Sequence, residues 1–283
     1  MTVWSYSFDM LVLTKPVWIY CSMSTHIRYL PTTLARAGLL LLLIIVSLNQ
    51  FSSAADTVTT TAQQIIDEME NLYRGNSSEA SITMLIKTPN YQRKLTMQSL
   101  TLGEERAFFR ILAPKKDRGV ATLKRDQEMW NYFPKINKVM KVPPSMMMGS
   151  WMGSDFTNDD LVKETSLVDS YAMSLAENET EYIITLTPME STVTVWGKID
   201  YIVSKSPLLP KAQIFYDDDH VKMREMKFLE PKEYDGKLMP SILEMRPLNK
   251  DGHTTRVIYE SMTFDAETIT EDTFSLRNLK SRF

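Results

Sequence analysis

The chain has 283 residues, of which 43% are hydrophobic and 24% are charged, a composition typical of a globular protein with one or two domains. These proportions exclude a disordered chain, a collagen-like chain and a membrane protein with several spans. The 32 basic and 35 acidic residues give a net charge of −3, so we expect no nucleic-acid partner. Cys21 is the one cysteine, and the sequence has no Cys/His set with zinc spacing. We therefore expect neither a bound metal nor a cofactor.

The N-terminal region has the pattern of a cleaved secretory leader. An apolar run at residues 37–48 follows two arginines and precedes the small residues Ser53, Ala54 and Ala55. The run is shorter than the ~20 apolar residues that span a bilayer, which favours a cleaved leader over a membrane anchor. The prediction is a signal peptide at residues 1–55, cleaved after Ala55, and one mature domain at residues 56–283. Because residues before Met23 make this leader unusually long, we expect translation to begin at Met23.

The mature chain begins with a predicted helix at residues 56–74. Threonines at 57 and 59–61 offer N-caps, apolar residues from Ile65 to Tyr73 form one stripe, and Gly75 ends the helix. Short apolar runs bounded by turn residues follow, and their connections are too short for crossover helices, so we expect antiparallel pairing. The architecture predicted from this pattern is mainly β with few helices: one curved sheet or partial barrel. The predicted strands are residues 81–88, 91–102, 106–112, 119–124, 128–133, 138–142, 181–187, 198–204, 211–217, 221–229, 239–246 and 254–264.

The segment at residues 143–162 interrupts the strand pattern and is rich in methionine and aromatic residues. Methionine is flexible and polarizable, so a surface made of it can repack around apolar ligands of varied shape. We interpret the segment as part of an apolar cavity or its lid; the alternative is a plug that fills the core. The candidate ligand-binding residues are Met146, Met147, Met148, Trp151, Met152 and Phe156.

The strand predicted at residues 128–133 adds two further candidates. In an alternating strand Trp130 and Tyr132 share one face and Phe133 points to the other. We choose Trp130 and Tyr132 as the residues that face the cavity.

The carboxylates at residues 155–160 could suggest a metal site, but their spacing does not fit a calcium loop. Thr157 and Asp160 have the spacing of a capping box at a helix start, so capping is the favoured interpretation. His220 and His253 lie beside turn signals, and the sequence around Ser150 lacks the order of a nucleophile elbow. The sequence therefore offers no catalytic residues, and we expect a protein that is not an enzyme.

Several stretches occur in an order that resembles one family, the LolA-like outer-membrane lipoprotein-sorting proteins. The resemblance covers nearly all of residues 56–283. The stretches are Tyr73-Arg74-Gly75, FRILAPKKDRGVATL from Phe109, MWNYFPKINKV from Met129, GSDFTNDDL from Gly153 and EDTFSLRNL from Glu271.

This resemblance implies a half-open antiparallel β-barrel with a helical lid over an apolar cavity. It implies a monomeric carrier in the periplasm of a Gram-negative bacterium that binds the acyl chains of a lipid or lipoprotein and moves this cargo toward the outer membrane. The implied partners are an inner-membrane donor, such as a resistance-nodulation-division transporter, and an outer-membrane acceptor. The alternative is a non-transporting binding or sensor module that regulates a membrane partner such as an exporter. The classical carrier latches its lid with an arginine, and strand context makes Arg110 the candidate here.

Overall fold

The computed structural model describes residues 61–163 and 167–281, which lie within one compact unit, Thr59–Phe283. The predicted leader, its cleavage site and the start at Met23 lie outside the described residues. Within these ranges, no helix is both long enough and apolar enough to cross a membrane.

The first helix, α1, spans Ala62–Asn71. Thr61 is its N-cap in a capping box: its hydroxyl accepts from the Gln64 amide at 3.2 Å, and Gln64 Oε1 accepts from the Thr61 amide at 2.9 Å. Such a cap is worth about 1 kcal/mol of helix stability. Gly75 follows the helix with φ of +56°, and a side chain there would meet Phe264, so glycine is required for both reasons. This helix confirms the predicted one, although it ends at Asn71 and not at the predicted residue 74.

In the described part of the chain, thirteen antiparallel strands form one curved open sheet in the order β6-β5-β4-β3-β2-β1-β13-β12-β11-β10-β9-β8-β7. The predicted fold class is confirmed. Twelve strands match predicted ones, and β7 was missed. The strands are β1 (Ser77–Lys87), β2 (Gln92–Leu102), β3 (Arg106–Ala113), β4 (Ala121–Arg125), β5 (Glu128–Phe133), β6 (Lys138–Lys141), β7 (Tyr171–Glu177), β8 (Glu181–Pro188), β9 (Lys198–Lys205), β10 (Leu208–Tyr216), β11 (Lys222–Tyr234), β12 (Lys237–Pro247) and β13 (Thr254–Phe264).

The strand order determines where the insertion must go. The chain starts in the middle of the sheet at β1 and runs outward, strand by strand, to the edge at β6. It then appears at the opposite edge as β7 and returns to β13, which pairs with β1. The insertion between β6 and β7 therefore connects the two edges. It contains the helices α2 (Asn158–Lys163) and α3 (Leu167–Ser170).

We call the side of the sheet that faces α1 and the insertion the inner face. α1 places Ile65, Ile66 and Met69 in one apolar cluster with residues of β8 to β12. Trp151 of the insertion lies in a second cluster with residues of β1 to β3 and β11 to β13. Covering elements thus bury two separate parts of the same face.

The outer face near β3 to β6 is covered by the end of the chain. A 3₁₀ turn at Glu271–Phe274 and the helix α4 (Leu276–Leu279) place Phe274 and Leu279 against Phe108. Leu276 of the same helix is exposed and takes no part in this packing.

Arg110 bonds this C-terminal turn. Its guanidinium donates to the carbonyl oxygens of Asn278 at 2.7 Å and Leu279 at 3.3 Å, and to the Ser281 hydroxyl at 3.2 Å. Burial lowers the pKa of Arg110, and its side chain lies over the Phe108 ring at 4.7 Å. Its side chain points to the outer face because it alternates with Phe109, so the proposal of Arg110 as the lid latch needs correction: it holds the chain end.

Candidate functional site

The middle of the insertion packs onto the inner face through Trp151. Its indole Nε1 donates to Thr122 Oγ1 at 3.1 Å, and its ring meets Phe109 edge-on with centroids 5.1 Å apart. The side chain is buried within the apolar cluster of β1 to β3. Met152 packs against the same cluster, and its carbonyl accepts from Arg93 Nη1 at 2.8 Å. Trp151 and Met152 therefore fill part of the inner face near β1 to β3. They act as the plug of the core that the sequence analysis gave as the alternative to a cavity or lid.

The methionine run lies outside the cavity. Met146 and Met148 are exposed and Met147 is half-buried, and none of the three lines the cavity described below. The reason is local: Pro143 precedes a 3₁₀ turn at Pro144–Met146, which ends the strand pattern and keeps this stretch at the edge of the sheet. The expectation that Met146, Met147 and Met148 contact a cavity ligand is corrected by this placement.

Trp130 and Tyr132 also face the opposite way from the prediction. β5 pairs Trp130 with Leu123 and Tyr132 with Ala121, and all four lie in the cluster under the C-terminal turn. Alternation was predicted correctly, but the choice of face was wrong, because the chain end covers this side and provides its apolar partners. The residue between them, Asn131, lies on the inner face and accepts from Thr122 Oγ1 at 2.7 Å.

A cavity of about 430 Å³ lies between α1, the insertion and the inner face. Phe156 is the one predicted site residue that lines it. Its methionines come from four other places: Met69 on α1, and Met226, Met245 and Met262 on the strands β11 to β13. Further apolar lining residues are Ala80, Ala107, Phe109, Leu161, Trp196, Ile199, Tyr201, Phe215, Phe228, Leu243 and Tyr259.

The cavity wall becomes polar toward β1 to β4. Ser78 and Thr101 are cross-strand neighbours whose hydroxyls lie 2.7 Å apart. Lys124 lies two strands further along the same row, is buried, and donates from Nζ to the Glu104 carbonyl at 2.8 Å. The cavity therefore has a polar end at β1 to β4, and its remaining wall combines apolar residues with the charged residues Glu70, Asp159, Asp160, Asp169 and Arg224.

A buried ion pair joins the insertion to β11 at the cavity wall. Arg224 of β11 donates from Nη1 to Asp160 Oδ2 at 2.8 Å and from Nη2 to Asp160 Oδ1 at 2.6 Å. The guanidinium lies over two neighbouring rings, 4.1 Å from the centroid of Phe215 and 4.4 Å from that of Trp196, and these two centroids are 5.2 Å apart. The two parallel bonds fix both the position and the plane of the Arg224 side chain. Arg224, and not Arg110, thus ties α2 of the insertion to the sheet by an ion pair, whereas Arg93 bonds the insertion through the Met152 carbonyl.

Asp160 has a second role in its own helix. Its Oδ2 accepts from the Thr157 amide at 2.7 Å, and the Thr157 hydroxyl accepts from the Asp160 amide at 3.1 Å. This is the capping box predicted from the sequence. One carboxylate therefore stabilises the start of α2 and attaches that helix to β11.

Tyr171 and Thr192 form hydrogen bonds near the ion pair of Asp160 and Arg224. Burial raises the pKa of Tyr171, whose hydroxyl donates to Thr194 Oγ1 at 3.3 Å, while the neighbouring Arg224 acts in the opposite direction. Thr192 donates to the Ser170 carbonyl at 2.6 Å, so the β8–β9 loop is bonded to the end of the insertion at the cavity rim.

The remaining carboxylate and histidine candidates have structural partners. Asp155 accepts from the Thr255 hydroxyl at 2.7 Å and lies 3.5 Å from His253 Nδ1. His220 occupies a tight hairpin turn with φ of +60°. Across the residues that the structure describes, no three carboxylate, histidine or cysteine groups are arranged to hold a metal ion.

Sequence reasoning missed Arg224 and the cavity methionines, although their strands were predicted. The available signal was alternation within β11: Arg224 shares one face with Met226 and Phe228, so an arginine lies in the same row as two apolar cavity residues. A charged residue in such a row needs a buried partner. That partner, Asp160, lies 64 residues away and had been assigned to capping alone.

Solved structures with this fold are similar to the chain at low sequence identity. A domain described as an outer membrane lipoprotein-sorting protein from Vibrio parahaemolyticus is 19% identical with a TM-score of 0.66; the match covers 77% of this chain and 98% of that one. A LolA superfamily protein from Nitrosomonas europaea is 18% identical with a TM-score of 0.64, covering 77% and 99%. A DUF1329 family protein from Desulfovibrio piger is 19% identical with a TM-score of 0.69, covering 77% and 97%.

No curated protein matches the sequence. A family model described as an uncharacterized protein matches residues 103–281, more than half of the chain. The predicted LolA-like resemblance is confirmed. The chain therefore belongs to the family of that model, and its fold is the one shared by LolA superfamily proteins.

Proposed function

We propose that the protein is a periplasmic carrier that binds acyl chains of a lipid or lipoprotein in the inner-face cavity and moves them toward the outer membrane. The observation that supports this most directly is the cavity itself, a space of about 430 Å³ that the chain's own side chains leave unfilled and that methionine and aromatic residues line in part. Protein cores are normally packed to the density of organic crystals, so an unfilled space of this size with apolar wall residues favours a ligand.

The size and chemistry of the cavity suit part of an acyl chain. Sites for small ligands measure about 300–1,000 Å³, a range that includes this one. Each buried methylene is worth about 0.8 kcal/mol, so an acyl chain needs an apolar environment to cross water at a useful rate. Methionines from α1 and three strands provide a wall that can adapt to different chains.

The proposed partners follow from the binding of acyl chains in the cavity. A carrier needs a membrane donor that delivers cargo and an acceptor that removes it, and the leader predicted at residues 1–55 would place the protein in the periplasm between them. An inner-membrane transporter of the resistance-nodulation-division type is the proposed donor, and an outer-membrane protein is the proposed acceptor. Binding and release need no covalent chemistry, so the proposal includes no catalytic step. The proposed working form is a monomer, because one chain provides every wall of the cavity.

Filling the cavity tests the proposal. Ala107 lies on the inner face between Thr101 and Lys124 and lines the cavity. Ala107→Phe places a ring where cargo would lie, and displacing about two methylenes from the cavity predicts roughly tenfold weaker binding of cis-parinaric acid. The matched control is Ala176→Phe, which adds the same ring at an exposed position of β7.

The fluorescence titration has clear outcomes. Weaker binding by Ala107→Phe, with the control unchanged and both variants folded by circular dichroism, supports the carrier. Equal binding by wild type and Ala107→Phe places the ligand elsewhere. No binding by the wild type, together with a membrane protein that copurifies in stoichiometric amount, would favour the sensor module instead.

A further inference from the structure

Four large apolar side chains are exposed along one edge of the sheet. Ile136 precedes β6 and is 66% exposed, Met140 lies within β6, and Met146 and Met148 follow it in the insertion, with Met146 59% exposed. All four fall within 13 residues of chain, from 136 to 148. We call these residues, with the lysines described next, the edge surface. The cavity uses none of them.

The edge surface is basic in a chain whose net charge is −3. Residues 129–154 include Lys135, Lys138 and Lys141 and contain no aspartate or glutamate. Lys141 forms an ion pair with Glu128, whereas Lys135 and Lys138 are exposed beside Ile136. Of the carboxylates that follow in the insertion, Asp155 and Asp160 are bonded to Thr255 and Arg224, and Asp159 is buried. The side chains of this edge therefore present positive charge together with apolar area.

Protection of a sheet edge explains only half of this arrangement. β6 ends the strand order, and lysines on an edge strand prevent pairing with another sheet. Exposed methionines do not serve that purpose, because apolar side chains at an edge promote association. The combination of apolar and basic side chains is typical of surfaces that lie in the headgroup region of anionic bilayers.

We propose that the edge surface docks the protein on an anionic phospholipid bilayer. Methionine and isoleucine enter the interface, and the stems of Lys135 and Lys138 lie along it while their ammonium groups contact phosphates. The surface is coupled to the covering segment: Met146 O accepts from Asn158 Nδ2 at 3.0 Å, and Met147 O accepts from the Asp159 amide at 2.8 Å. Docking therefore acts on the start of α2, the helix whose Asp160 binds Arg224.

Vesicle cosedimentation of the exported chain, with its N terminus identified by mass spectrometry, tests the docking. The probes are vesicles of phosphatidylcholine with an equal part of phosphatidylglycerol, vesicles of phosphatidylcholine alone, and inner-membrane vesicles that retain their proteins. Lys135→Gln/Lys138→Gln should lower the partition coefficient on anionic vesicles about 25-fold, since each lysine near such a surface contributes about fivefold. Met146→Ser/Met148→Ser should lower it roughly tenfold. The control, Met189→Ser/Lys250→Gln, changes an exposed methionine and an exposed lysine outside the edge surface and should match the wild type.

The vesicle experiment tests the docking proposal alone, because it measures binding to a bilayer and uses no cargo. Its results therefore do not depend on the carrier function. Preference of the wild type for anionic vesicles, lost in both edge variants and kept in the control, supports it. Three results overturn it: no binding by the wild type, equal binding to both vesicle types, or an equal loss in the control. Binding only to membranes that contain inner-membrane proteins also overturns it and identifies the edge surface as a protein contact.

Discussion

The ion pair between Asp160 and Arg224 makes a quantitative prediction about how the insertion is held on the sheet. Asp160→Asn keeps the shape of the side chain and an oxygen that can accept from the Thr157 amide, but it removes the negative charge that Arg224 faces. The side chain of Arg224 is only 6% exposed, so water replaces little of the lost interaction. We expect α2 to open more often in this variant.

The two hydrogen bonds of the ion pair and its burial determine how much Asp160→Asn should lower the free energy of opening α2. Hydrogen bonds to charged groups contribute about 1.5–3 kcal/mol each, and part of this sum offsets the cost of burying both ions. Asp160 is 18% exposed, which reduces that cost on one side. We expect the free energy of opening α2 to fall by about 2–3 kcal/mol, which corresponds to roughly a hundredfold faster amide exchange.

Hydrogen exchange resolved to single residues measures this change. Amides of α2 should lose protection in Asp160→Asn, whereas those of the distant strands β2 and β3 should not. Arg246→Gln is the matched control, because Arg246 pairs with Glu225 on the neighbouring strand but is 53% exposed, and its loss should cost less than about 0.5 kcal/mol.

A double-mutant cycle excludes indirect effects. The coupling energy between Asp160→Asn and Arg224→Met should exceed about 1.5 kcal/mol if the two side chains act through their bonds. A coupling near zero, or equal loss of protection in Arg246→Gln, would refute the assignment of this pair as the latch.

Three further predictions concern positions that the structure reassigned or characterised. In urea unfolding, Trp151→Ala should destabilise the fold by about 3–5 kcal/mol because the Trp151 side chain is buried in the core. Met146→Ala should cost less than about 0.5 kcal/mol because the Met146 side chain is on the surface. Similar values for the two variants would contradict this. Arg110→Met should destabilise by about 1–3 kcal/mol and increase cleavage of the C-terminal turn by carboxypeptidase, and unchanged cleavage would show that the turn holds without it. Burial and the Asp200 carboxylate raise the pKa of Tyr216 to about 12. The stabilising contribution of Tyr216 is therefore complete below pH ~10 and is lost as the pH rises toward 12. Absorbance titration should show a lower pKa for this tyrosine in Asp200→Asn, and an unchanged pKa would exclude the carboxylate as a cause.

The extent of the sheet was predictable because its signals are local. Alternating apolar residues and turn residues at Gly103, Asp126 and Gly236 recur along the chain, and antiparallel hairpins form between neighbours in sequence. β7 was missed because YAMSLAE contains residues that favour helices, and pairing with β8 overrides that preference.

The identity of the cavity residues was not predictable by the same means. Alternation shows which residues share a face, but only the position of the covering elements tells which face is inner. For Trp130 and Tyr132 that position depends on the chain end, more than 140 residues later. The methionine run was singled out by its composition, yet two prolines before it keep it at the sheet edge. The sequence analysis therefore predicted correctly that methionines line the cavity, but it placed them at the wrong positions.

The central claim is that an acyl chain occupies the inner-face cavity in the cell. Mass spectrometry of the exported protein, purified without detergent and sprayed under native conditions, tests this most directly. We predict an adduct of one acyl-containing lipid per chain that is released on denaturation and strongly reduced in Ala107→Phe. A protein whose native mass equals that of its polypeptide, or a lipid adduct equally abundant in Ala107→Phe, would contradict the claim.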